Sequence, residues 1–114
     1  MLALAKGANL ALAFAIELMM LAALGYWAFG AAPGGWLSWL AALAIIAAAI
    51  GLWAVWGAPA SARRLKQPLL LVFKIIMFGA GVLAFWAAGQ STLALWFAAI
   101  VVLNLVLAGI WAQD

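Results

Sequence analysis

The chain has 114 residues and a net charge of +3, and 74% of its residues are hydrophobic while only 6% are charged. A soluble domain is about half apolar and about a quarter charged, and a body of this size cannot hide so much apolar surface from water. The composition therefore excludes a soluble globular protein and predicts an integral membrane protein, because lipid is the solvent that accepts such a surface.

Three stretches rich in turn-forming residues divide the chain: "GAAPGG", "GAPASARRLKQP" and "GQS". They separate four apolar runs, each close to the ~20 residues that a helix needs to cross a hydrocarbon core. Strands of a membrane barrel alternate apolar and polar residues, whereas "AALAIIAAAIGLW" is apolar on every face. We therefore predict an all-α integral membrane protein, a four-transmembrane-helix bundle forming a single domain over residues 1–114. The predicted helices cover about residues 8–29, 36–56, 69–88 and 92–112.

The first helix carries a carboxylate, Glu17, inside the apolar stretch "ALAFAIELMMLAALGYW". At 1.5 Å per residue, Glu17 lies roughly 14 Å from the inner end of the run, near the middle of the bilayer. Lys6 and Asn9 fall on the same side of the helix, and we expect this polar stripe to face protein or water. A cleaved signal peptide is the alternative for this run, because "AFGAA" resembles a cleavage site. The length of the run and the presence of Glu17 favour a helix that stays in the membrane.

Small residues recur in the second and third helices at spacings that allow helix backbones to approach closely in lipid. They predict tight packing, either within one chain or between chains. These residues are Ala44 and Ala48, Ala47 and Gly51, and then Gly79 and Gly81.

Basic residues predict the orientation of the helices. Arg63, Arg64 and Lys66 lie in the second loop and Lys6 lies near the start, whereas the first and third loops carry no charge. Because basic loops stay on the cytoplasmic side, we expect both the N and C termini to be cytoplasmic, in a multi-pass protein of a bacterial inner membrane. The same residues could contact anionic lipid headgroups. They are too few to indicate binding of nucleic acid.

The third and fourth helices add two polar residues to the same half of the membrane. Lys74 lies about 8 Å and Asn104 about 12 Å from the inner ends of their helices. We predict that Glu17 pairs with Lys74 across the bundle, with Asn9 and Asn104 hydrogen-bonding around them. Two interpretations stay open: the cluster fixes helix register and partner choice, or Glu17 gains and loses a proton or a cationic substrate.

Several motifs resemble the YrdB-like family of small bacterial four-helix membrane proteins. They are Asn9, Phe14 and Glu17 followed by "GYWAF", the loop "WGAPASARRLKQP", and Asn104 in the last helix. The resemblance implies the topology and the polar positions but no activity, because that family has no established one. Its members commonly carry a carboxylate where this chain has Lys74, so pairing with Glu17 is a departure from the family pattern. Small multidrug exporters are similar in architecture only, because their motif is absent around Glu17.

The residue types present do not indicate an enzyme. Ser38, Ser61, Ser91 and Thr92 lie near helix ends or in loops, and there is neither Cys nor His. We expect no catalytic residue, no metal site and no cofactor, since no ligand residue marks a pigment or quinone site. The predicted role is that of a helix-packing partner in the lipid bilayer, either a homo-oligomer or an accessory subunit of a larger membrane complex. A proton-linked small-molecule transporter or channel that uses Glu17 is the alternative.

Overall fold

A computed structural model describes residues 1–58 and 60–113; Pro59, which belongs to the loop motif, and Asp114 lie outside this part. The described residues form helices and turns without strands, and all four helices are long and apolar enough to cross a membrane. The predicted all-α fold of four transmembrane helices is therefore confirmed. The helices are α1 (Leu2–Ala31), α2 (Trp36–Trp56), α3 (Leu69–Ala87) and α4 (Ser91–Ile110).

The first helix differs most from its predicted bounds, because it begins at Leu2 instead of residue 8. The prediction counted the residues needed to cross the hydrocarbon core, but the preceding "LALAK" consists of strong helix formers and continues the helix. With 30 residues, α1 is about 45 Å long and exceeds the ~30 Å core. Glu17 lies at the middle of this long helix.

Short connections make successive helices antiparallel neighbours. Gly34 and Gly35 in the first connection have φ values of +108° and +59°, and Gly89 in the third has a φ of +81°. These left-handed conformations favour glycine because a Cβ would meet the backbone. The chain therefore reverses within a few residues at both turns.

The helices pack around α1, which contacts the other three. The third helix also packs along α4, whereas α2 rests mainly on α1 and touches α3 at few positions. Ile16 and Met20 of α1 and Phe97 of α4 are at most 2% exposed and form the centre of the core. Between them, Gly81 of α3 is buried and has no side chain to separate the helices.

The second helix has two different faces. Ala42 and Ala49 are buried against the bundle, and Trp53 stacks on Phe73 of α3 at a ring distance of 6.1 Å. At ~100° per residue, the opposite face carries a stripe of small residues that the structure leaves exposed. This small-residue stripe consists of Ala44, Ala47, Ala48 and Gly51.

Residues near both ends of the described chain, Lys6 and Gln113, lie with the second loop at one end of the bundle. The Gln113 side chain donates a hydrogen bond of 2.8 Å to the carbonyl of Lys6, which joins the two ends of the chain. Gln113 also lines a pocket with Gly57 and Arg64 of the second loop. The basic residues that were assigned to topology, Lys6, Arg63, Arg64 and Lys66, are therefore collected at this end.

Candidate functional site

The four predicted polar residues lie in two neighbouring groups. Asn9 and Asn104 are hydrogen-bonded to each other, whereas Glu17 and Lys74 line a pocket that is also lined by Gln113, a hydrogen-bond partner of Asn9. Asn9 and Glu17 are eight residues apart on α1, which corresponds to about 12 Å along the helix.

The asparagine group joins α1 to α4 through reciprocal amide contacts. The Asn104 Nδ2 donates to the backbone oxygen and the Oδ1 of Asn9, both at 2.9 Å. The Asn9 Nδ2 donates to the Asn104 carbonyl at 3.3 Å and to the Gln113 Oε1 at 2.9 Å. Asn9 and Asn104 are only 4% and 3% exposed. Each helix therefore supplies donors and acceptors that satisfy the other in a region closed to water.

The charged pocket lies between α1, α2, α3 and the second loop and has a volume of about 250 Å³. Glu17, Lys74 and Arg64 line it and are all half-buried. Lys74 and Arg64 therefore bring two cationic groups to the same space as the Glu17 carboxyl group. Phe14 and Trp53 provide an apolar wall.

Arg64 is less exposed than its two basic neighbours. The sequence predicts a role in topology and lipid-headgroup contact for Arg63, Arg64 and Lys66; Arg63 and Lys66 are exposed, whereas Arg64 is half-buried. The Arg64 Nε donates a hydrogen bond of 3.1 Å to the Gly57 carbonyl, and both residues line the charged pocket. No pattern in "SARRLK" separates the two arginines, because the difference depends on how the loop folds.

The second loop is held by contacts to the end of α2. The Ser61 hydroxyl donates to the Val55 carbonyl and accepts from the Arg63 backbone N–H. The Leu65 N–H donates to the Trp56 carbonyl at 3.0 Å. These bonds fold the loop back on α2 and set the position of Arg64 between its two neighbours.

An apolar pocket continues from the charged pocket between α1 and α2. It has a volume of about 180 Å³ and shares Phe14, Glu17 and Trp53 with the charged pocket. Leu18 and Ile50 form its walls farther from the loop. The two pockets together form one groove, called here the α1–α2 groove, with charges at the loop end and apolar walls towards the middle of the bundle. This arrangement can bind an ion, exchange a proton or hold an amphiphile.

A family model described as "Protein of unknown function (DUF2568)" matches residues 11–102 of the chain. The match includes Glu17, Arg64 and Lys74 of the charged pocket, but it ends before Asn104. It carries neither the YrdB-like name nor a bacterial source. Comparison with curated proteins and with solved structures gave no match.

Proposed function

The chain belongs to the DUF2568 family, whose function is unknown, so we propose its role from the geometry of the structure. The proposed role is that of a non-enzymatic membrane protein that self-associates through α2. The observation that supports this proposal is the two-faced second helix. One face of α2 packs on α1, and the opposite face presents the small-residue stripe to the bilayer.

Small residues on a lipid-facing surface favour a protein partner. Lipid chains are as apolar as Leu, so hydrophobicity alone gives helices no reason to associate in a membrane. Helices associate where small side chains let two backbones approach closely, and Ala44, Ala47, Ala48 and Gly51 provide this along two turns. A second helix laid on the stripe would gain dispersion contacts that flexible lipid chains supply less well.

A second copy of the chain is the partner that this surface fits. The stripe has no charged or polar side chain, so it offers no group that would select a different subunit. Two identical stripes can face each other around a two-fold axis, which makes the contact self-complementary. We therefore propose a homodimer in which the α2 helices cross at the stripe.

We propose a bacterial-type cytoplasmic membrane and cytoplasmic termini for this dimer. Lys6 and the basic second loop lie at the same end of the bundle, and an excess of Lys and Arg marks the cytoplasmic side. The opposite end carries exposed Trp36, Trp39 and Trp86, which suit an interface with the outer headgroups.

The dimer proposal predicts that Gly51→Leu lowers the dimer fraction in vesicles at least fivefold, because a Leu on the stripe keeps the two backbones apart. Gly109→Leu is the matched control, since both glycines are exposed on their helices and an added Cβ at either meets nothing within 4 Å. Single-molecule photobleaching of the labelled full chain in phosphatidylcholine–phosphatidylglycerol vesicles measures the fraction. A wild-type chain that stays monomeric would contradict the homodimer and favour a different membrane subunit as the partner.

Proton-linked transport remains the second candidate, and the charged pocket beside Glu17 is the observation that favours it. The proposed packing role predicts that wild-type and Glu17→Gln proteins dissipate a pH gradient at the same rate as empty vesicles. A pH-sensitive dye enclosed in proteoliposomes measures this rate. A flux that is present in the wild type and lost in Glu17→Gln would instead support the transporter.

A further inference from the structure

The α1–α2 groove combines features that no helix-packing role requires. Two cations, Arg64 and Lys74, and one carboxylate, Glu17, line its charged end, which gives that end a formal charge of +1. Its other end is lined by apolar side chains such as Leu18 and Ile50. The two pockets measure about 250 and 180 Å³, so each alone is smaller than the ~300–1,000 Å³ of typical ligand sites, and a bound ligand of that size must occupy both.

We propose that the α1–α2 groove binds a single-chain acidic amphiphile, with its phosphate or carboxylate head at Arg64 and its alkyl chain along α1 and α2. The charge of the groove favours an anion over a cation, and the apolar continuation fits a chain better than a free inorganic ion. The groove is a separate site from the small-residue stripe, so this inference does not depend on dimerisation.

Arg64 is suited to bind the acidic head because its position is fixed before binding. Its Nε donates to the Gly57 carbonyl, and the two Nη groups carry the remaining four N–H donors of the planar guanidinium. Such a group can donate two parallel hydrogen bonds to a phosphate or carboxylate. The folded loop therefore presents a recognition group at low entropic cost.

Glu17 has a defined part in this site, because it lies where the charged and apolar pockets meet. Its carboxylate repels an acidic head, which limits the affinity and keeps the binding reversible. Its removal therefore strengthens the binding of an anion. A site for a cationic ligand would respond in the opposite way, because Glu17 would then be its counter-ion.

Phe14 and Trp53 line both pockets, at the place where the charged and apolar parts of the groove meet. Their rings are positioned to contact the first methylene groups of a bound chain. A wider side chain at Ile50 fills the apolar pocket while leaving the charged end intact. This arrangement allows the head and the chain of the ligand to be tested separately.

The test measures binding of dodecyl phosphate to the purified full chain by native mass spectrometry in detergent. Arg64→Gln should weaken binding at least tenfold, whereas Arg63→Gln, the exposed neighbour with the same charge change, should alter it less than twofold. Glu17→Gln should tighten binding about threefold or more. This gain cannot come from misfolding, so it keeps the test decisive if Arg64→Gln disturbs the loop.

Three further measurements bear on the head, the chain and the charge of the ligand. Ile50→Trp should weaken the binding of dodecyl phosphate but not that of inorganic phosphate. If inorganic phosphate binds as tightly as dodecyl phosphate, the proposal that the ligand has an alkyl chain is wrong. The proposal that the ligand has an acidic head is wrong if dodecyltrimethylammonium binds more tightly than dodecyl phosphate. It is also wrong if Glu17→Gln weakens the binding of dodecyl phosphate.

Discussion

Asn104→Leu should lower the free energy of unfolding by about 1–3 kcal/mol, because it removes both Nδ2 hydrogen bonds to Asn9 and leaves a buried amide oxygen without its donor. Leu has the same number and branching of side-chain heavy atoms as Asn and is somewhat larger, so the substitution leaves no cavity. Measured hydrogen bonds between membrane helices average ~0.6 kcal/mol, with a maximum near 1.7. We expect this pair at the upper end, because both residues are almost fully buried and two bonds are lost together.

A double substitution tests more directly whether the two asparagines act as a pair. Replacing both partners of a buried hydrogen bond by apolar groups costs far less than replacing one. Asn9→Leu combined with Asn104→Leu should therefore destabilise the protein less than the two single changes do in sum. Helical circular dichroism during titration of bicelles with sodium dodecyl sulfate measures the unfolding, and Thr92→Val on the exposed part of α4 is the control. Strictly additive effects would show that the two amides do not act as a pair.

The asparagine group also shows what a membrane sequence can predict. Asn9 and Asn104 were singled out because a polar residue in an apolar helix must turn towards protein or water. That rule does not say which polar residues meet. The bundle pairs Asn9 with Asn104 because their helices contact at the loop end, and Gln113 completes the group from beyond the end of α4. A glutamine near the end of a chain gives no signal by itself.

The positions of the helices could be predicted from the sequence, whereas the residues that line the charged pocket could not all be predicted. A bilayer forces each crossing segment to satisfy its backbone internally and to be apolar over a known length, so composition determines the four spans. The position of Arg64 depends on the folded loop, in which Ser61 and Leu65 bond back to α2. No comparable physical limit acts on loop conformation. The sequence could therefore single out Glu17 and Lys74 as polar residues in apolar helices, but it could not predict that Arg64 lines the same pocket.

Gly81→Leu should be the most disruptive of the glycine substitutions in α3, with a loss of about 1–3 kcal/mol or more from overpacking. A Cβ at Gly81 would lie 3.0 Å from Phe97 Cε2 and 3.2 Å from Met20 Cγ. Neither neighbour can move away easily, because Phe97 is 0% exposed and Met20 is 2% exposed. The Met20 Cα is only 3.4 Å from that Cβ, so a larger side chain must push α1 itself outwards.

Gly79 supplies the matched control, because it lies two residues away on the same helix and an added Cβ there meets nothing within 4 Å. Leu improves helix propensity over Gly by up to about 1 kcal/mol at either position, so any difference between the two variants reports packing. We expect Gly79→Leu to be neutral or stabilising in the same titration. The spacing of small residues in the sequence predicted close approach at both glycines, but residues two apart point ~200° from each other around a helix. Only one of them can face α1, and equal losses at the two positions would mean that α1 and α3 do not meet at Gly81.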